Sequence, residues 1–267
     1  MDFDLENGWR ILPIDGDTGT AYMGIRQQEK LFLKRNTSPF LAALSIEGIT
    51  PRLVWTKRMT TGDTLTAQEW LNGRCLHKAE MDSEAVSALL YRLHHSALLK
   101  RMLKQVGGQV VTPEELLQRY FRGLPQDLRH HPLLKTVANR LRAKQPQVKR
   151  SNYEVCHGDL NHKNWLLSDQ GNLFLVDWES AVIADPAYDL SMLMCQYVPR
   201  NNWQQWLQTY QANGQEQPSD DLMLRINWYS FCYLLLQIKA KHQRGHFHEM
   251  NQDIIKLDEV VKKQTDI

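Results

Sequence analysis

Tyr153-Glu154-Val155-Cys156-His157-Gly158-Asp159-Leu160-Asn161-His162-Lys163-Asn164 is followed by Trp165-Leu166-Leu167, the polar turn Ser168-Asp169-Gln170-Gly171-Asn172, then Leu173-Phe174-Leu175-Val176 and Asp177-Trp178-Glu179. Two apolar runs flank a turn that contains Gly171, the pattern of two short antiparallel strands joined by a tight loop. Such a hairpin returns Asp177 to the side of Asn164. A neutral oxygen and a carboxylate then face one point, a donor pair suited to Mg²⁺, which prefers a few hard oxygens plus substrate phosphates. Asp159 precedes Asn164 by five residues, inside the loop the hairpin anchors. There it is placed to accept a proton from a hydroxyl approaching a metal-bound phosphate.

The whole composition is that of an ordinary globular chain. It has 267 residues, enough for one large domain or two lobes sharing a cleft, with 42% hydrophobic and 23% charged residues. The 32 basic and 30 acidic residues nearly cancel, which argues against direct nucleic-acid binding and against a charged membrane surface. Cys75, Cys156, Cys195 and Cys232 stand apart with no Cys-x-x-Cys spacing, so reduced thiols and a cytoplasmic location are expected. The apolar run from Trp228 to Ile238 is too short to span a bilayer, so no membrane insertion is expected.

Residues 9–35 alternate as β structure. The turn Asp15-Gly16-Asp17-Thr18-Gly19-Thr20 lies between the first two strands. Gly16 and Gly19 would let backbone N–H groups approach phosphate, and Thr18 and Thr20 would add donors. Lys34 ends the apolar strand Leu31-Phe32-Leu33 and suits a point charge for phosphates. A helix starting after Asn36-Thr37-Ser38-Pro39 offers only Glu47 as its partner, late and beside Gly48, so Lys34 is also read as acting without one. Further strands are expected over 51–55 and 64–71.

From Gly73 onward the pattern turns helical. Val86, Leu89, Leu90 and Leu93 form a one-sided stripe ending at His94 and His95, where a last-turn histidine favours the helix dipole. Thr112 followed by Pro113, and Pro132, mark further helix starts. The late helices carry many aromatics, which read first as core; Trp228 and its neighbours are the candidates for an acceptor pocket.

His157-x-Asp159-x-x-x-x-Asn164, the apolar hairpin and Asp177 together resemble the catalytic core of the aminoglycoside phosphotransferase and choline kinase family, relatives of protein kinases. Asn161 stands where protein kinases carry Lys, which points to the small-molecule branch. The resemblance implies an α+β, two-lobed protein-kinase-like fold. Residues 1–72 would form a small β-rich nucleotide-binding lobe. Residues 73–267 would form a larger, mainly helical catalytic and acceptor-binding lobe carrying the hairpin.

It also implies ATP and Mg²⁺ as cofactors and a small-molecule hydroxyl as acceptor. By that likeness Asp159 is the catalytic base and His157 braces its loop. Asn164 and Asp177 hold the metal. Lys34 and the 15–20 loop position phosphates, and the backbone of Gln68-Glu69-Trp70-Leu71 meets adenine. Asp189, in Asp185-Pro186-Ala187-Tyr188-Asp189-Leu190, would brace the loop through backbone bonds.

Asn36-Thr37-Ser38-Pro39, Gln68 to Leu71 and Leu93-His94-x-Ser96 resemble a Firmicutes group of the YtmP/CcrZ type. That likeness implies a nucleoside or (deoxy)ribose 5′-hydroxyl as acceptor and a role coordinating replication initiation with cell division. Division or initiation proteins would be its partners, and it would be recruited to the division site. Two other readings stay open: a kinase for choline, thiamine or an aminoglycoside, and a nucleotide-binding regulator without turnover.

Overall fold

The computed structural model describes residues 8–14, 21–214 and 220–263. Its strands are β1 (Arg10–Pro13), β2 (Ala21–Arg26), β3 (Glu29–Arg35), β4 (Leu53–Arg58), β5 (Thr64–Glu69), β6 (Gly73–Cys75), β7 (Glu154–Cys156), β8 (Trp165–Ser168), β9 (Leu173–Leu175) and β10 (Val182–Ala184). Its helices are α1 (Phe40–Ile46), α2 (Glu84–His94), α3 (Ala97–Gln105), α4 (Pro113–Phe121), α5 (Gln126–His130), α6 (Pro132–Ala143), α7 (Ala187–Tyr197), α8 (Trp203–Ala212), α9 (Asp220–Gln243) and α10 (Phe247–Lys263). The class is α+β, as the residue pattern indicates. No described helix is long and apolar enough to cross a membrane.

The chain divides into two compact units. The first takes Met1–Glu80, Ser96–Gly108 and Asn161–Ser180. Its main sheet is antiparallel in the order β1-β2-β3-β5-β4. The strand period of two decides which residues face inward. Leu31 and Leu33 of β3 are buried with Tyr22, Leu65 and Ala67, and Trp9, Ile11, Trp55 and Met59 pack against them. Phe32 and Lys34 therefore lie on the opposite face of β3. Helix α1 ends where Gly48 takes φ +65°, and α3 packs against it.

A second sheet of the same unit, ordered β6-β8-β9, contains the hairpin. Its register pairs Trp165 with Leu175 and Leu167 with Leu173, and Gly171 turns the chain at φ +82°. Strand β6 lies so close to β8 that a Cβ at Gly73 would run into the Leu167 carbonyl. Asp169 N donates to Asn72 O at 2.9 Å and Leu175 N to Ile49 O at 2.8 Å, which ties the hairpin to its own unit at both ends.

The second unit takes Met81–His95, Gln109–Leu160 and Ala181–Ile267. The short ladder β7–β10 pairs Cys156 with Val182. Helix α7 packs on α9, which also contacts α4, α6 and α10. Thr112 and Glu115 close a reciprocal capping box at the start of α4, with Pro113 in the first turn. At the other end of α4, Lys239 of α9 is buried and donates to the carbonyls of Arg119 and Arg122, groups the helix itself leaves unsatisfied.

Candidate active site

The first unit brings Lys34, Asn164 and Asp177 together. Val176 N donates to Asn164 O at 2.9 Å, continuing the β8–β9 pairing by one step, so Asn164 lies beside the residue preceding Asp177. Asp177 adopts φ +66°, a left-handed conformation that Asp tolerates better than most residues but that still costs roughly 1 kcal/mol. Outliers of this kind cluster at functional positions. Trp178 follows, donating its indole N–H to Leu175 O at 2.9 Å and meeting Phe40 edge-on at 6.0 Å.

Lys34 Nζ lies 3.2 Å from Asp177 Oδ1 and 2.8 Å from Glu179 Oε1. Burial alone would lower its pKa; the hydrogen bonds and charges of Glu179 and Asp177 outweigh that and raise it. Glu47 is not its partner. Its carboxylate accepts from Ser96 Oγ at 2.8 Å, and Ser96 Oγ in turn accepts from Leu99 N at 3.1 Å as the N-cap of α3. The sequence reading missed Glu179, although it sits two residues after the proposed metal ligand Asp177. Asp177 and Asn164 supply hard oxygen donors, and the amine drawn to Asp177 marks the spot as one that attracts cations. This donor set fits Mg²⁺.

The Asp159 loop belongs to the second unit. His157 is fully buried, and Asp159 N donates to its Nδ1 at 3.2 Å, while Asp159 itself is exposed. Asp189, also fully buried, accepts from His157 N at 2.6 Å and Gly158 N at 2.9 Å. One carboxylate thus fixes the two peptide groups before Asp159. His94 completes the brace. Its Nε2 lies 3.2 Å from Asp189 Oδ2 and its Nδ1 2.9 Å from the Tyr210 hydroxyl. The helix-dipole reading of His94 is therefore corrected: the side chain is fully buried and points to Asp189. Cys156 adjoins His94 and Asp189, and burial pushes its thiol pKa up.

In the 68–71 segment, Gln68 is buried and donates to Pro51 O at 2.7 Å, while Glu69 Oε2 meets Arg52 at 3.3 Å. Trp70 donates its indole N–H to Asn72 Oδ1 at 3.2 Å, and Leu71 is half-buried between β5 and β6. The polar groups of the Gln68, Glu69 and Trp70 side chains are thus used within the unit. Gly16, Thr18, Gly19 and Thr20 lie outside the described residues. Trp228 is corrected from pocket to core: it is 3% exposed and donates its indole N–H to Leu141 O at 3.0 Å. Burial of that helix face, which periodicity alone leaves undecided along α9, settles its role.

The model of the phosphotransferase enzyme family matches residues 27–225. Among solved structures, the chain is similar to the choline kinase LicA from Streptococcus pneumoniae, with TM-score 0.62, 16% identity and 95% of each chain covered. It is similar to a choline/ethanolamine kinase family protein from Mesorhizobium loti, with TM-score 0.63, 16% identity and 93% and 87% covered. A further likeness is to spectinomycin phosphotransferase APH(9)-Ia in complex with ADP and spectinomycin, with TM-score 0.57, 14% identity and 97% and 89% covered. The fold is that of these kinases.

Proposed function

The chain belongs to the phosphotransferase enzyme family, and from that premise we propose that it transfers the γ-phosphoryl group of Mg²⁺-ATP to a nucleoside or (deoxy)ribose 5′-hydroxyl. At the coarser level it is a small-molecule phosphotransferase. The observation that carries the reading is the hairpin end, where the Asn164–Val176 backbone bond sets Asn164 beside Asp177 and Lys34 reaches Asp177 Oδ1.

Asn164 and Asp177 would hold Mg²⁺, which when bound neutralises phosphate charge. Lys34 draws the nucleotide phosphates. Gly16, Thr18, Gly19 and Thr20 add donors to those phosphates, and the backbone at 68–71 receives adenine. In the second unit, Asp159 orients the acceptor hydroxyl and takes its proton, and His157 and Asp189 fix the loop that carries it. Positioning and charge neutralisation supply most of the rate in such transfers.

The 5′-hydroxyl acceptor rests on the likeness of Asn36 to Pro39, Gln68 to Leu71 and Leu93 to Ser96 to YtmP/CcrZ-type proteins. The same likeness supports a cytoplasmic role coordinating replication initiation and division, with recruitment to the division site through proteins of those processes.

ADP release coupled to a spectrophotometric readout tests this, using nucleosides, pentoses, choline, thiamine and an aminoglycoside as acceptors and Asp159→Ala as blank. Turnover on nucleosides or pentoses alone, lost in the variant, is expected. Turnover on another acceptor class rejects the 5′-hydroxyl assignment. ATP binding without turnover on any acceptor makes the protein a nucleotide-binding regulator.

A further inference from the structure

The second unit contains a cavity of about 380 Å³ where α7 ends beside α9 and α10. Met194, Trp203, Phe231 and Leu234 form an apolar floor, each 5% exposed or less. The charged side chains of its lining are Arg200 and Lys256; no acid is among them.

Both cations are held in place. The Arg200 guanidinium lies 3.6 Å from the centroid of the Trp203 ring and donates to Asn227 Oδ1 at 2.6 Å. Lys256 Nζ donates at 2.5 Å to Cys195 O, in the last turn of α7. The Cys195 thiol registers both: burial raises its pKa, Lys256 and Arg200 lower it, and Asp253 raises it. Asp253 is itself paired with Lys241 at 2.7 Å. A stacked guanidinium keeps most of its planar fork available for an oxyanion. A hollow with apolar walls and a few fixed polar groups is the usual form of a small-ligand site.

We propose that this cavity binds a small ligand with a compact ring and an oxyanion, either a phosphomonoester or a carboxylate, held by Arg200 and Lys256. The assignment goes beyond the phosphotransferase reading and does not depend on it. An anionic ligand is favoured there, and a cation is repelled.

The test is equilibrium binding of a charge series on one ring to the full chain saturated with Mg²⁺ and a non-hydrolysable ATP analogue. Phenyl phosphate and benzoate are the anions, benzyl alcohol the neutral probe and benzyltrimethylammonium the cation. At least one anion should bind about tenfold more tightly than the alcohol, the fold-change of one charge-assisted contact, and the cation should not bind. Arg200→Gln should weaken the anion about tenfold by the same reasoning, with Arg200→Lys intermediate, and melting temperature and nucleotide affinity unchanged. Lys256→Gln gives a second reading where Arg200→Gln disturbs Trp203. Equal binding of the three charge types, or anion affinity unmoved in both Gln variants, overturns the proposal. A retained charge order without phosphotransfer to any acceptor upholds the cavity and rejects only the phosphotransferase reading.

Discussion

Lys34 Nζ stands 2.8 Å from Glu179 Oε1, closer than its 3.2 Å approach to Asp177. The two carboxylates share one ammonium from opposite ends of a single turn, Asp177-Trp178-Glu179. Asp177 is proposed to hold metal, which leaves Glu179 as the group that keeps Lys34 aimed once Asp177 is occupied.

Glu179→Gln should therefore raise KM for Mg²⁺-ATP about tenfold, the effect of weakening one charge-assisted hydrogen bond, with a smaller change in kcat. Glu47→Gln should leave that KM unchanged and lower stability by about 1 kcal/mol, because the Ser96 hydroxyl loses a charged acceptor. Steady-state kinetics beside denaturant melts separate the two. A KM rise in Glu47→Gln and none in Glu179→Gln would reverse the assignment.

Asp177→Asn should fold normally and lose activity. Asn accepts the left-handed φ of +66° as Asp does, so the turn survives. The carboxylate proposed for Mg²⁺ is gone, and the Mg²⁺ concentration giving half-maximal rate should rise steeply. Asp177→Ala loses the same carboxylate and adds backbone strain of roughly 1 kcal/mol. A matched magnesium titration and melt of both variants checks the pair. A normal magnesium requirement in Asp177→Asn would remove Asp177 from the metal site.

Short-range rules made the hairpin readable. Alternating apolar residues around Gly171 name the strands, and pleat alternation puts Lys34 on the face opposite Leu31 and Leu33. The Thr112-Pro113 start of α4 was readable for the same reason, since its cap contacts lie within three residues. Lys34–Glu179 was not, because 144 intervening residues separate the pair and local pattern carries no information about which acid folds back. His94 was misread because a histidine ending an amphipathic helix looks the same whether it faces water or a buried Asp189. Trp228 shows the converse: an aromatic on a helix buried around its girth gives no sign of which partner takes its N–H.

The Asp189 brace should behave as structure before chemistry. Asp189→Asn turns a double acceptor for His157 N and Gly158 N into a group with one oxygen and two donors. Hydrogen bonds to charged groups contribute about 1.5–3 kcal/mol each, so a loss of about 3 kcal/mol is expected. His94→Ala should also destabilise, by removing the ring between Asp189 and the Tyr210 hydroxyl. Hydrogen exchange should show the 157–159 amides losing protection in both variants. Full protection of those amides in Asp189→Asn would show that the loop holds its shape without the carboxylate.

Acid stability should report on Asp63. Hydrogen bonds from Asn36, then Arg35 and Thr61, lower its pKa from 3.8 to about 2. Asn36 also bridges from φ +53° to Thr64, donating its backbone N–H to Thr64 O and accepting Thr64 N on its side chain. The folded pKa lies below the unfolded one, so the contribution is complete above 3.8 and is lost as pH falls toward about 2. Stability measured by urea titration at stepped pH should therefore fall in that window. Asp63→Asn should be less stable at neutral pH and should flatten that part of the curve. An unchanged slope between those pH values in Asp63→Asn would show that other carboxylates carry the acid loss.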